Sequence, residues 1–467
     1  MSANSLTQEA RLENAMMLAS VLGLGTEVAD KALQFEVCIA AEPSDAAAIS
    51  IAKELVAILS RTIRDVHLNA ACETAVVEIV IGAIRPRSAL PKLFLGMTPK
   101  HAVIDEVPTP WTFQGEPGIL AVLTACYLSA AIMQKVFGSD FPYGGKFPLR
   151  ISFAELGIDF SALDQQIDVG EMYLAGAGAI GNGLLWALRF IKTRGELIIA
   201  DDDVVSPGNL NRQIWFTPED IGKWKAEQLA LKAQPYMPTL KLIPRRGRLQ
   251  EIPERSEGPW LKRLIVGVDS RRARRELQKE FPGEVFDAST TDIREVVIHH
   301  NKQMTDSACL SCIYESDDEE SSREAHIAEH LGVTVSEVRS ERIAEDAADK
   351  ILARYPKLDR GGLVGLAYDT LFKRLCGEGE LKSLEGRRVA APFAFVSILA
   401  GTLLALEIVR HIGEGAHKRD FNYWRVSPWH GPILRRQILR PKQPGCEFCA
   451  HETLIRVNRM LWASGTL

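Results

Sequence analysis

The sequence predicts an α/β protein built on doubly wound, mostly parallel sheet. Three observations carry this. Short apolar segments alternate with helical ones along much of the chain. One strand-to-helix turn is rich in glycine, Gly176-Ala-Gly178-Ala-Ile-Gly181. Two short apolar strands, Glu196–Ala200 and Leu264–Val268, each run into an acid, Asp201 and Asp269. At 467 residues the chain exceeds one ordinary core, so two domains or one elaborated domain are expected. A net charge of −5 gives no sign of a nucleic-acid partner.

In chain order, the first residues are polar and do not read as a signal peptide. Phe35–Ala40 reads as a strand, Asp45–Ser60 as a helix and Ala75–Ile81 as a second strand, with no glycine fingerprint in the first turn. Residues 119–133 and 393–409 are long and apolar. The first is short of the roughly 20 residues a membrane span needs and the second is broken by Glu407, so both are expected as buried helices of a cytoplasmic protein. Pro117–Gly138 and Pro392–Gly413 echo each other: each is a 22-residue window with Pro at its start, an apolar helix and a closing Gly. Each precedes a β-like segment, Phe147–Phe153 and Phe421–Val426. Two unrelated buried helices would give the same pattern; a tandem duplication whose first copy lost its active residues is the sharper reading. Met172–Leu174, the glycine turn, a helix over Asn182–Lys192 and Glu196–Ala200 form one strand–turn–helix–strand unit. Beyond the acidic run Glu315–Glu320, capping-box spacings at Ser321/Glu324 and Thr334/Glu337 predict helix starts, with Gly332 as a stop between them.

The glycine turn carries chemistry. Glycines let backbone approach a phosphate, and the helix that follows offers unpaired N–H groups. Asp201, about 20 residues on, is spaced to accept from ribose hydroxyls. Cations then follow: Arg212, in Asn209-Leu-Asn-Arg212-Gln213, and Lys225, 13 residues later. Two cations suit a triphosphate better than a dinucleotide. Asp269 is placed to hold Mg²⁺. Arg274 lies in an arginine-rich run with Arg271, Arg272 and Arg275 that reads as a solvated helix face. Separately, Cys309-x-x-Cys312 and Cys446-x-x-Cys449 offer four thiolates, a donor set that suits a closed structural Zn²⁺ site.

The linked motifs GAGAIG, DDDVVSPGNLNRQ, GKWKAE and VGVDSRRAR over about residues 170–450 resemble the ThiF-type adenylating family. That family includes ubiquitin-activating enzymes and the bacterial molybdopterin-synthase and thiamine-biosynthesis adenylyltransferases. The resemblance implies a Rossmann-like adenylation domain that takes ATP with Mg²⁺. Gly176, Gly178 and Gly181 would cradle phosphate, and Asp201 and Asp203 would lie at the ribose. Asn209, Arg212 and Lys225 would contact phosphates, with Gln213 supporting their loop. Asp269 would hold Mg²⁺, and Arg274 would support the site. Relatives that keep zinc share the late Pro-Gly-Cys-x-x-Cys, here Pro444-Gly445-Cys446.

In the ubiquitin-activating branch the acyl group passes to an enzyme cysteine. With four cysteines assigned to metal and Cys38 and Cys126 to core, Cys376 is the expected nucleophile, flanked by Lys373 and Arg374 and in a charged helical crossover over about residues 315–390. Cys72 falls in the degenerate half. The expected layout is an inactive adenylation-like domain over 1–165 and an active one over 166–467. Expected partners are a ubiquitin-like or sulfur-carrier protein ending in glycine, a conjugating-enzyme-like protein and a second copy in a homodimer, with no nucleic acid and no membrane. The layout is similar to the activating enzymes of bacterial ubiquitin-like conjugation operons, including antiviral ones. The arginine that many relatives supply from a segment before the fingerprint is missing; Arg11, Arg85 or Arg87 could replace it. A sulfur-carrier adenylyltransferase without a thioester, a non-catalytic nucleotide-binding scaffold and an NAD-dependent oxidoreductase are the rival readings.

Overall fold

The computed structural model describes residues 6–462 except 71–72, 253–258, 304, 317, 341, 369–370, 373–374, 376–390 and 414–420. Cys376, Lys373, Arg374 and Cys72 therefore lie outside the described residues.

The first part of the chain runs α1 (Gln8–Leu22), α2 (Thr26–Ala32), β1 (Glu36–Ala41), α3 (Ala46–Leu59), β2 (Asp65–Leu68), β3 (Ala75–Ile81), β4 (Lys92–Met97), β5 (His101–Asp105), α4 (Ile119–Phe137) and β6 (Leu149–Ser152). Asp45 caps α3 by accepting from the Ala48 N–H at 2.9 Å, which starts the helix where the sequence places it. Among the described residues these strands form one sheet in the order β2-β1-β3-β4-β5-β6; the first four are parallel and the last two antiparallel.

The second part runs α5 (Phe160–Leu163), β7 (Ile167–Ala175), α6 (Ala179–Leu188), β8 (Thr193–Asp201), α7 (Lys225–Ala233), β9 (Leu240–Arg246), β10 (Arg263–Val266), α8 (Arg271–Gln278), β11 (Glu284–Thr291), β12 (Glu295–Lys302) and α9 (Leu310–Ile313). Crossover helices α10 (Asp318–Leu331), α11 (Val335–Arg339), α12 (Glu345–Arg354) and α13 (Arg360–Leu363) come next among the described residues. The chain closes with α14 (Ala394–Ile412), β13 (Tyr423–Val426), β14 (Gln437–Ile438) and α15 (Glu452–Trp462). The second sheet has the order β14-β13-β12-β11-β10-β7-β8-β9, parallel from β11 to β9 and antiparallel beyond.

The two sheets share one wiring. In each, the first strand is central and the second lies outside it. In each, a long apolar helix joins two antiparallel strands: α4 between β5 and β6, α14 between β12 and β13. Both helices are nearly all buried, from Ile119 to Met133 and from Ala394 to Arg410. They are core helices because they pack on each other and on α3 and α6. Gly401 marks the tightest point: a Cβ there would lie 2.2 Å from the Leu184 backbone N of α6. Glu54 of α3 reaches across, accepting from Trp186 Nε1 at 2.7 Å and Arg189 Nη2 at 3.0 Å. The two sheets consequently share one hydrophobic core. Residues 1–313 and 390–467 form one compact unit and 314–389 a second.

That second unit has its own core of Ile327, Leu331, Val338, Ile351, Leu371 and Phe372. Thr334 and Glu337 cap α11 reciprocally, as their spacing predicts. Ser321 does not start a helix. Helix α10 begins three residues earlier, at Asp318, and Ser321 sits inside it. Acidic residues favour a first helical turn, so the run 315–320 belongs partly to the helix.

Candidate nucleotide-binding and metal sites

The glycine turn follows β7 directly. Gly176 has φ +100°, and a Cβ on it would meet the Gly267 backbone at 3.0 Å, so the turn lies flat against the end of β10. A Cβ on Gly178 would find ordinary space, 3.9 Å from its nearest neighbour. Gly178 is the N-cap of α6, and the open space beside it leaves room for a ligand's close approach.

Helix α6 starts at Ala179, three residues before the sequence expectation, and ends at Leu188, so its N–H groups open directly at the turn. Asn182 ties this turn to the following loop. Its Nδ2 donates to the Ala177 and Gly178 carbonyls at 2.9 and 3.0 Å, and its Oδ1 accepts from the Trp215 N–H at 3.2 Å.

Asp201 ends β8 with its carboxylate under the turn, accepting from the Ala177 N–H at 2.7 Å and the Asp203 N–H at 2.9 Å. Burial pushes its pKa up to about 6 against the pull of Lys225. Lys225 is itself buried and pairs with Asp203 at 2.7 Å. Arg212 donates to the Asn211 Oδ1 at 2.8 Å and the Gly208 carbonyl at 3.3 Å. Burial draws its pKa down, while the carboxylates of Glu13 and Asp269 oppose that. Arg212 and Asp269 are thus electrostatic neighbours, as are Lys225 and Asp201. Asn209 spends its Oδ1 on the Ser206 N–H at 3.0 Å, shaping the loop from within, and Gln213 is buried beneath it.

Arg274 is not on a solvated face. It is 2% exposed, paired with the buried Asp287 and donating to the Val268 carbonyl, next to Asp269. The arginine run misleads because Arg274 and Arg275 face inward on α8.

Sequence reasoning also missed Arg61. This buried guanidinium, just after α3, donates to the Leu210, Ile214 and Phe216 carbonyls at 2.7, 2.8 and 3.0 Å. Asn14 of α1 donates to the Arg61 carbonyl at 2.7 Å and accepts from Asn211 at 3.1 Å. The first half of the chain therefore braces the loop that bears Arg212. Of the three arginines singled out earlier, Arg11 and Arg85 are exposed and Arg87 donates to the Asn69 carbonyl at 3.0 Å. No local pattern marks Arg61, since its acceptors lie about 150 residues away.

The remaining thiols sort as expected where described. Cys38 and Cys126 are buried, Cys126 with its pKa raised by burial. Cys309, Cys312, Cys446 and Cys449 converge. Their sulfurs lie 3.6 Å (309–312), 3.7 Å (309–446) and 3.2 Å (312–449) apart. A tetrahedron with ~2.3 Å metal–sulfur bonds has edges of about 3.8 Å, whereas a disulfide needs ~2.05 Å. The donor set fits a borderline-soft ion such as Zn²⁺. Backbone ties already hold the late segment in place: the Ala308 N–H donates to the Arg440 carbonyl at 2.8 Å and the Lys442 N–H to the Asp306 carbonyl at 3.0 Å.

Comparison with known families matches residues 153–448 to the ThiF family and residues 7–159 to the E1 N-terminal domain. This chain belongs to the ThiF family. Members of this E1-like family carry out ATP-dependent adenylation of a substrate carboxylate, and this chain is an adenylating enzyme of that kind. The uncharacterized protein y4jF of Sinorhizobium fredii is 24% identical over 360 residues, covering 73% of this chain and 68% of y4jF. Ubiquitin-activating enzyme E1 1 of Candida albicans is 35% identical over 91 residues, 19% of this chain and 9% of that protein. Human ubiquitin-like modifier-activating enzyme 1 is 32% identical over 99 residues, 20% and 9%. The chain thus spans under a tenth of each of these two activating enzymes. A crystal structure of E. coli MccB with ATP superposes with a TM-score of 0.37 at 14% identity, covering 76% of this chain and 97% of that one.

Proposed function

We propose that this ThiF-family chain adenylates the C-terminal carboxylate of a ubiquitin-like protein and then takes the acyl group onto Cys376 as a thioester, for transfer to a conjugating protein. One observation carries the first step: a glycine turn at a helix N-terminus, the buried Lys225, the half-buried Arg212 and the Asp269 carboxylate gather around the ends of β7, β8 and β10.

In this reading a carboxylate oxygen attacks the α-phosphorus of ATP, and the bond to the β-phosphate oxygen breaks to release pyrophosphate. The turn's N–H groups, Arg212 and Lys225 stabilise charge on the phosphates, and no side chain need act as nucleophile. Lys225 is held by Asp203 until a phosphate competes for it. Asp269 is the residue to hold Mg²⁺, which when bound neutralises phosphate charge. Asp201 would accept from the ribose. In the second step the Cys376 thiolate attacks the acyl carbonyl and AMP leaves. The four clustered cysteines would hold a structural Zn²⁺ that fixes the segment around residue 446. A homodimer in the cytoplasm is the expected setting, and the operon-type layout makes antiviral defence the expected context.

Pyrophosphate exchange into ATP, stimulated by the carrier and lost in Asp269→Ala, tests the first step. A carrier adduct cleaved by thiol reductant and absent in Cys376→Ala tests the second. Exchange without such an adduct would leave a sulfur-carrier type of adenylyltransferase and remove the thioester from the proposal.

A further inference from the structure

Among the described residues, three groups of ligating side chains bring their donor atoms within 4.8 Å of one another: the four cysteines, Glu284/His300/His411 and His326/Glu329/His330. The second group is chemically closed. His300 Nε2 and Glu284 share a hydrogen bond of 2.9 Å, Arg263 Nε adds one of 3.1 Å, and His411 Nε2 meets Glu407 at 3.0 Å, itself paired with Arg410. The His300 and His411 rings stack at 3.5 Å. In this buried network the Glu284 and Glu407 carboxylates and both imidazole Nε2 atoms are already paired.

The third group is different. His326 is 7% exposed, yet among the described residues both of its ring nitrogens lack a hydrogen-bond partner. A buried imidazole carries one donor and one acceptor and seldom leaves both unmet. One helical turn later, His330 has its ring 3.9 Å from that of His326. Its Nδ1 is engaged with the His326 carbonyl at 2.9 Å, which orients the ring and leaves Nε2 for another partner. Glu329 stands beside it, exposed, so the group runs from the interior of the crossover unit to its surface. Phe372 packs against both imidazoles, at 5.4 and 6.1 Å, and fixes their inner side.

We propose that His326, Glu329 and His330 on α10 form a second metal site, for a divalent ion of the zinc class, separate from the four-cysteine cluster. Positions i, i+3 and i+4 of a helix place three donors on one face. Two imidazoles and one carboxylate suit Zn²⁺ or Co²⁺, whereas Mg²⁺ and Ca²⁺ demand oxygen. Three protein ligands leave a fourth position open on the solvent side, where Glu329 stands.

The test is Co²⁺ titration of the full chain after chelation, read by absorption and by bound metal. Wild type is expected to take about two ions per chain, one with thiolate charge-transfer bands and one without. His326→Gln with His330→Gln is expected to lose the ion without thiolate bands and keep the other. His330→Gln alone, at a half-buried position, is expected to weaken the same ion while thermal unfolding holds, so the result does not depend on how the double variant folds. Mg²⁺ in excess is expected not to compete. Uptake of the thiolate-bound ion alone by wild type, or unchanged uptake in the double variant, would overturn the proposal. Uptake of only the ion without thiolate bands would support it and count instead against the four-cysteine site.

Discussion

At the end of β8 the Asp201 carboxylate accepts from the Ala177 N–H at 2.7 Å; at the end of β2 the Asn69 amide oxygen accepts from the Ala41 N–H at 2.9 Å. Strand register makes these the same position in the two sheets, since Ala175 pairs with Ala200 and Ile39 with Leu68. Carried further, the same register sets Ala40 against Gly176 and Glu42 against Gly178. It also sets Gly82 against Asp269. Glu42 turns its carboxylate onto the Ser44 hydroxyl at 2.8 Å, so the first sheet carries an anion of its own where the second has room for a ligand's. The hydrogen bond that shapes the turn survives in both halves, while the fingerprint glycines and the cations remain in one. Geometry at a strand end and chemistry at a strand end are therefore separable, and this supports reading the first half as an inactive copy. What that half retains is mechanical: Arg61 and α1 brace the loop of its partner sheet.

The largest effect should come from erasing the difference at the metal-holding acid. Asp269→Ala is expected to cut pyrophosphate exchange by about 10²–10³-fold, the scale of losing one preorganised charge-stabilising group. Unchanged exchange would take Asp269 out of the reaction and remove that acid from the difference between the two sheets.

Removing the brace comes next. Arg61→Met strands three buried carbonyls and should lower unfolding stability by about 3 kcal/mol, read from the denaturant midpoint, with weaker ATP binding. Full ATP affinity in that variant would separate the first half from the site altogether.

Asp201→Asn makes the second sheet resemble the first and should cost on the order of tenfold in ATP affinity. A pH series sharpens it. The folded pKa of Asp201, about 6, lies above the ordinary carboxylate value, so its ionisation is penalised by folding. Stability falls as pH rises from the unfolded value of about 3.9 towards 6. A ribose that donates to the carboxylate favours the ionised form, so ATP affinity rises through pH 6. Both trends should flatten in the Asn variant, as seen by thermal unfolding and ATP titration.

The smallest effect is expected from the reverse change. Asn69→Asp restores one acid to a turn that still lacks glycines and cations, so it should add no second ATP site and shift stability by about 1 kcal/mol or less. A second bound ATP would show that the first half is dormant and not degenerate.

Much of this was legible from local pattern. The glycine turn, the acids at strand ends, the apolar windows at 119–133 and 393–409 and the Thr334/Glu337 cap each follow from spacing within a few residues. The misreadings share a cause. Arg274 looked solvated because sequence does not say which way a short helix faces, and Ser321 looked like a cap because acidic residues before it extend the helix instead. Arg61 and the orphaned His326 carry no local mark, because their meaning lies in groups, or missing groups, that the fold alone places beside them.

By itself, then, the sequence determined element type, the ThiF-type motif set and the pairing of CxxC units, since backbone preference and ligand chemistry act over a turn or a strand. Tertiary structure decided which charges are buried, that α4 and α14 merge both sheets into one core, and that the first half supports the loop of the second. Those outcomes depend on desolvation and packing between residues far apart in the chain, and no window of sequence contains both partners.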